Sequence, residues 1–374
     1  MVNLLVPENY GKEKEATLAD AFRYGGDCKA AKQREYEIEK TIREFGEKTG
    51  IVFVENPDLR DATDTDEYTL KGHETTDLEE QATVRNICPE ITIPQSRTFQ
   101  EFLQYPTFPV VAKPFMINGH PWFTSQGDFK YLIEKRVQFE KMRAFLTQRE
   151  LPFPEGHQWE GHYANNQPPG IDSFYYQDFI DTPGDRFTSL RVMASVTGRI
   201  LCSSLLYSAE TKDNVSILES NSDHYSPSFG DDVADFLTLP NSPVFLGAKN
   251  IFSNRAKGGG GIVLDPIETS KRPTKKEEKI LKSHGFDPNS PELPPELREM
   301  SSKIAREYGR KKGLIVGIDW IKGQDGKWYY LETNIQPGLQ TYLDHRSNGK
   351  GNEVETYLSI YKDLLMEISQ IQSA

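Results

Sequence analysis

The chain has 374 residues, with 44 Lys plus Arg against 56 Asp plus Glu and a formal charge of −12. At roughly 100–200 residues per domain, that length predicts two or three domains and a core that needs no disulfide or metal staple. The acidic balance makes nucleic acid and anionic lipid poor default partners.

Twenty Phe, 17 Tyr and 4 Trp supply core material despite the hydrophilic average. No run of about 18 apolar residues exists, so no membrane span is expected. Charged residues follow Leu4–Val6 at once, unlike a signal peptide. Cys28, Cys88 and Cys202 lie far apart with no CxxC, which suits a reducing cytoplasm. Walker A, GxGxxG, HExxH and GxSxG motifs are all missing.

Along the chain, Tyr36, Ile38, Ile42 and Phe45 follow helical spacing and Gly50 marks a stop. Ile51–Glu55 reads as a buried strand, and Asn56–Glu80 as an acidic loop or linker. A new unit begins near Asn86. Ile91–Pro94 reads as a strand edge, Ser96–Gln104 as a short helix and Phe108–Lys113 as an apolar strand ending in Lys-Pro. Phe129, Ile133, Val137, Met142 and Leu146 predict an amphipathic helix over Gly127–Glu150. Leu151–Gly170 is a loop; its His157, Glu160 and His162 lack a third metal ligand at fixed spacing.

Ser173–Ile180 is strand-like. Phe187–Val196 and Arg199–Tyr207 form a hairpin around Thr197-Gly198. Residues 208–245 and 265–295 read as insertions, with Gly258–Gly261 between them. Lys271 to Lys282 form a basic run, read as a solvated helix face or an anion-binding lid. Glu296–Lys312 is a helix, Leu314–Ile321 and Lys327–Asn334 are strands around a Gly323–Gly326 turn, and Glu353–Ile371 is a closing helix.

That last hairpin carries the most information. With Asp325-Gly326 as a two-residue turn, Gly323 pairs with Trp328 and Asp319 falls opposite Glu332. Strand alternation puts Asp319, Glu332 and Asn334 on one face. Opposed residues lie about 5 Å apart, and like charges there are destabilising. Something cationic between the acids would relieve them, and two carboxylates beside an amide suit Mg²⁺ with substrate phosphates. A solvated acidic face is the alternative, weakened by the apolar Ile315, Val316, Ile318 and Trp320.

Taken in order, PVVAKP, QDFI, SLRVMASVTG, Asn254 with Gly258-Gly259, and GIDWI…YYLETNIQPG resemble the ATP-grasp superfamily over roughly residues 86–345. The resemblance implies an α/β fold: two α+β subdomains clasping ATP, preceded by a small N-terminal α/β domain. The expected divisions are 1–85, 86–176 and 177–374. It implies ATP with Mg²⁺, or Mn²⁺ in its place. Lys113 would reach the ATP phosphates, or else be a strand-end lysine reaching water. Gln177, Asp178, Phe179 and Ile180 would form the adenine hinge, or else a plain core strand. Asp185 would bind ribose, or else serve only its turn. Arg191 would contact phosphate or the reacting carboxylate. Asn254 would stand on the substrate side, or else belong to a flexible glycine loop. Asp319, Glu332 and Asn334 would hold the metal.

Departures are visible. The stretch Met116–Ser125 has one glycine where relatives carry a Gly-rich phosphate loop, leaving Asn118, Gly119, His120, Thr124 and Ser125 as substitutes. A first phosphate lysine is not obvious; Lys71 and Arg85 are candidates. The activity implied is ligation of a small-molecule or peptide carboxylate to an amine, with ADP and phosphate released. A kinase acting on a hydroxyl and a non-catalytic ATP-binding protein are the alternatives. Relatives of this kind are commonly homodimers.

Overall fold

The structure, a computed structural model, describes residues 2–6, 9–12, 28–55, 68–69, 77–114, 131–140, 143, 174–213, 249–250, 259–265, 272–309, 312–335 and 353–371. It is a mixed α/β molecule in which the described residues form one three-stranded and two five-stranded sheets. The expected α/β class matches this arrangement.

The first sheet is parallel. Strand β1 (Val2–Val6) lies between β2 (Ile51–Glu55) and β3 (Tyr68–Thr69). Helix α1 (Cys28–Lys48) is the crossover from β1 to β2. It ends where Gly50 takes a left-handed conformation, φ +85°. The α1 residue Ile42 packs with Leu4, Val6 and Phe53, and with Ile360, Leu364 and Leu365 of the C-terminal helix. Strand β3 and the start of the next helix lie inside the stretch expected to be linker. Their apolar content is too low to announce them.

Helix α2 (Asp77–Ile87) leads to β4 (Ser96–Thr98) and α3 (Phe99–Gln104). Thr98 and Glu101 form a reciprocal capping box, so the predicted helix gives its first three residues to a strand. The second sheet has the order β10-β6-β5-β7-β4. Its members include β5 (Val110–Pro114), β6 (Tyr131–Ile133), β7 (Phe174–Asp178) and, from much later in the chain, β10 (Lys249–Asn250). One face is closed by aromatic rings: Phe102 stacks on Tyr176 at 4.7 Å and meets Phe139 at 5.1 Å. Ile133 therefore sits in a strand, not in the helix expected over Gly127–Glu150. A spacing of four between apolar residues fits either structure, and the pairing of β6 with β5 and β10 decides it.

The third sheet is antiparallel, β11-β9-β8-β12-β13. Strands β8 (Thr188–Ser195) and β9 (Ile200–Tyr207) form the expected hairpin, turning at Gly198 with φ +85°. Strand β11 (Gly260–Leu264) lies at one edge. Strands β12 (Ile315–Lys322) and β13 (Trp328–Ile335) form the closing hairpin. Val316, Ile318 and Trp320 alternate onto one face. There they meet Leu297, Ile304 and Ala305 of α5 (Pro295–Glu307). Trp320 Nε1 donates to buried Ser301 Oγ at 3.0 Å. The intervening residues, Asp319 among them, belong to the opposite face.

The expected insertion 265–295, described at residues 265 and 272–295, is not all loop. It contains helix α4 (Lys275–Ser283), opened by a Thr274–Glu277 capping box and buried through Ile280 and Leu281. Lys275, Lys276, Lys279 and Lys282 of the basic run lie on that helix, Arg272 precedes it, and Lys271 lies outside the described residues. Helix α6 (Glu353–Ile371) closes the chain against α1. Among the described residues, no helix is long and apolar enough to cross a membrane.

Candidate functional site

The closing hairpin brings Asp319 opposite Glu332, as counted from the sequence, but by a different route. Lys322, not Gly323, pairs with Trp328, because the turn is one residue longer than two. Gly326 N–H donates to the Gly323 carbonyl at 2.9 Å, and Gly326 has φ +81°. Past Trp320–Tyr330 the register shifts by one, leaving Leu331 as a bulged residue. The two deviations cancel, and the acids meet.

On the other side of Asp319, strand β8 places Arg191 directly opposite. Its Nε and Nη2 donate to the two Asp319 oxygens at 2.7 and 2.6 Å, a bidentate pair. Asn334 Nδ2 donates to Asp319 Oδ2 at 2.9 Å and to Glu332 Oε1 at 3.3 Å. From the second sheet, buried Lys113 brings Nζ to 3.9 Å from Glu332 Oε2. That ammonium also lies 5.6 Å from the centre of the Tyr175 ring, its partner across β5–β7. Five residues from strands of two sheets thus converge: Lys113, Arg191, Asp319, Glu332 and Asn334.

Charge explains why the opposed acids are tolerated. Arg191 offsets Asp319 and Lys113 offsets Glu332, so the protein supplies the positive charge that a metal was expected to supply. The donor set still suits a hard cation. Two carboxylates and an amide oxygen are Mg²⁺ ligands when substrate phosphates complete the shell. Each carboxylate oxygen can accept more than one bond. Among the described residues no group of three or more His, Cys, Asp and Glu gathers, so an all-protein metal cage is not formed.

The link between the second and third sheets runs through residues 179–187. Gln177 is buried and its amide donates to Ser96 Oγ at 3.1 Å. The Asp178 carboxylate accepts from Arg97 and, at 3.3 Å, from Thr107 Oγ1. Both side chains are therefore committed to the protein. Phe179 and Ile180 are half-buried, and among the described residues their backbone groups make no hydrogen bond. The Phe179 ring meets Phe187 edge-on at 6.1 Å. Asp181 holds this link to the hairpin tip, its carbonyl accepting from Gln324 N–H at 3.0 Å and its carboxylate from the Gln324 amide at 2.5 Å.

Asp185 stands apart from the five-residue cluster, paired with Lys279 at 2.8 Å. The Lys279 hydrogen bond holds its carboxyl below the ordinary range. Arg85 is exposed on α2. Asn254, Gly258, Lys71, the Met116–Ser125 stretch and His157, Glu160 and His162 lie outside the described residues. Burial pushes the Cys88 thiol up to about 11, which makes it inert at neutral pH. Cys202 Sγ lies 3.5 Å from Met193 Sδ, a packing contact.

Sequence reasoning missed a second buried polar cluster behind β13. The Glu80 carboxylate accepts from Tyr330 Oη at 2.5 Å, Tyr308 Oη at 3.2 Å and the Thr333 N–H, and pairs with Lys312 at 3.0 Å. Glu80 and Lys312 are 4% and 3% exposed. Burial first, then the Glu80 charge, pushes the Tyr330 phenol well up, so it stays protonated. The signal was the spacing Glu80, Val84, Cys88, a buried helical stripe whose first member is charged.

No family model matches the sequence, and no curated protein matches it. Among solved structures the chain is similar to D-alanine–D-alanine ligase from Bacillus anthracis complexed with ATP. Identity there is 12%, coverage 99% of this chain and 98% of that one, and the TM-score 0.41. It is similar to the ATP-grasp ligase PsnB complexed with minimal precursor, Mg and ADP, at 11% identity, 96% and 77% coverage and TM-score 0.39. Against PsnB complexed with minimal precursor, the chain spans 58% of that chain's length, at 10% identity and TM-score 0.36. The structural likeness is to ATP-grasp ligases, and at these scores it bears on neither substrate nor site residues.

Proposed function

We propose that this protein is an ATP-dependent ligase of the ATP-grasp type that joins a carboxylate to an amine. The observation that carries the reading is the convergence of Lys113, Arg191, Asp319, Glu332 and Asn334 from two lobes. Two cations, two acids and an amide in one place suit a polyanion bound with a divalent ion. A single ion pair would need only two of them.

Asp319, Glu332 and Asn334 would hold Mg²⁺, which in this chemistry neutralises charge on transferring phosphates. Lys113 would add positive charge from the small-lobe side. The planar guanidinium of Arg191 would also steady the acceptor carboxylate. Phe179 and Ile180, with their backbone groups available, would read the adenine edge, flanked by Gln177 and Asp178 as scaffold. Asp185 and Asn254 remain the proposed ribose and substrate-side residues. Transfer to a carboxylate yields an acylphosphate and ADP; attack by the amine then forms the amide and releases phosphate. The chain's part is positioning and electrostatics.

The test is turnover with ATP and Mg²⁺ across carboxylate and amine panels. The reading expects ADP and free phosphate in step with product. Phosphate retained on the acceptor would make the protein a kinase instead. Tight ATP binding with no turnover would make it a non-catalytic binder. Wild-type turnover by Glu332→Ala would remove the metal assignment.

A further inference from the structure

The metal half of the site depends on a bulge. Were Leu331 paired in the ladder instead of bulged, the pairing beyond Trp320–Tyr330 would slip by one, and Asp319 would face Leu331. Glu332 and Asn334 would then move to the helix-covered face, because a one-residue slip reverses every side chain. Among the described residues strand β13 is an edge strand, and no neighbouring strand bonds its outward backbone groups. Helix α2 takes that place. Gln81 Nε2 donates to the carbonyl of the bulged Leu331 at 3.4 Å. Glu80 accepts from the Tyr330 hydroxyl before the bulge and from the Thr333 N–H after it. The Tyr330 N–H donates to the Thr92 carbonyl at 2.9 Å, in the segment that follows α2.

The same helix also reaches the small lobe. Gln81 Oε1 accepts from Ser96 Oγ at 3.0 Å, and Ser96 Oγ accepts from Gln177 Nε2 at 3.1 Å. Gln177 lies on β7, which pairs with β5, the strand of Lys113. One pair of adjacent side chains therefore contacts the strand that presents Glu332 and, through Ser96, the sheet that presents Lys113.

We propose that Glu80 and Gln81 are positioning residues: they fix the β13 bulge, and so the placement of Glu332 and Asn334 opposite Asp319 and near Lys113. The metal-binding consequence rests on the ligase reading; the register consequence does not. Two variants avoid stranding a buried charge. Glu80→Met with Lys312→Met removes both members of the pair together with the oxygen that accepts from Tyr330 and Thr333, and Gln81→Met removes the amide at similar volume. Two readouts are taken on the full chain: Mn²⁺ affinity in the presence of a non-hydrolysable ATP analogue, and amide hydrogen exchange. The expected result is Mn²⁺ affinity about tenfold weaker, the scale of losing an outer-shell partner. Exchange should be faster at residues 331–335 and unchanged in β8 and β9.

Mn²⁺ affinity within twofold of wild type in both variants would overturn the proposal, as would exchange that rises uniformly, the mark of a merely structural role. If the wild type itself binds no Mn²⁺ with the analogue, the ligase reading falls. The exchange pattern then decides alone: acceleration confined to 331–335 supports the positioning role, and any other pattern overturns it.

Discussion

Replacing Arg191 with Met tests the electrostatic design of the site without touching the proposed metal ligands. Arg191 and Asp319 share two hydrogen bonds, and the Asp319 side chain is only 7% exposed. Removing one partner of a buried ion pair costs about 3–5 kcal/mol, because the other charge is left in poor solvent. Two features reduce this. The Arg191 side chain is 24% exposed, and Asn334 still donates to Asp319. The expected deficit is therefore about 2–4 kcal/mol, a fall in Tm of several degrees. A divalent ion on Asp319 and Glu332 would replace the lost charge, so saturating Mg²⁺ with ADP should restore more stability to the variant than to the wild type. Thermal unfolding of both proteins, with and without Mg²⁺ and ADP, reads this directly. An equal gain in the two proteins, or no deficit at all, would refute the reasoning.

Three further outcomes are expected. Burial drops the His284 pKa to about 4, and the ring stays neutral with Nδ1–H donating to the Ile280 carbonyl and Nε2 accepting from Thr188. The unfolded chain takes the proton near 6.5, so stability is lost as pH falls from there toward 4, by about 3 kcal/mol; His284→Asn should flatten that limb in urea titrations, and an unchanged profile would refute it. Gly260→Ala would put a Cβ 2.1 Å from the Tyr207 ring, so a loss of about 1–3 kcal/mol is expected, relieved by Tyr207→Val in the double variant. Phe102→Ala, fully buried among Tyr176, Phe139 and Phe108, should cost about 3–5 kcal/mol in chemical denaturation, and a cost below 1 would contradict the packing described.

The sequence announced what local chemistry determines. Asp325-Gly326 marked the turn, alternation marked the faces of β12 and β13, and Asp319, Glu332 and Asn334 came together as counted. That success owed something to cancellation, since the longer turn and the Leu331 bulge each move the register by one. Bulges answer to tertiary contacts, here from α2, and local pattern does not show them. Helix α2 was hidden because Glu80 and Gln81, two of its most buried residues, look like surface residues by composition. Strand β6 was hidden because it is three residues long and one of its partners, β10, comes from much later in the chain. Arg191 was expected to meet a substrate oxyanion; its bidentate hold on Asp319 could be known only once β8 and β12 were seen to be neighbours.

The most direct test of the central claim is a crystal structure with Mn²⁺ and a non-hydrolysable ATP analogue. The account predicts an anomalous peak within bonding distance of Asp319, Glu332 and Asn334, with Lys113 against the phosphates and the base beside Phe179 and Ile180. A nucleotide and metal ordered elsewhere, with Arg191 and Lys113 still alone against the two acids, would contradict it.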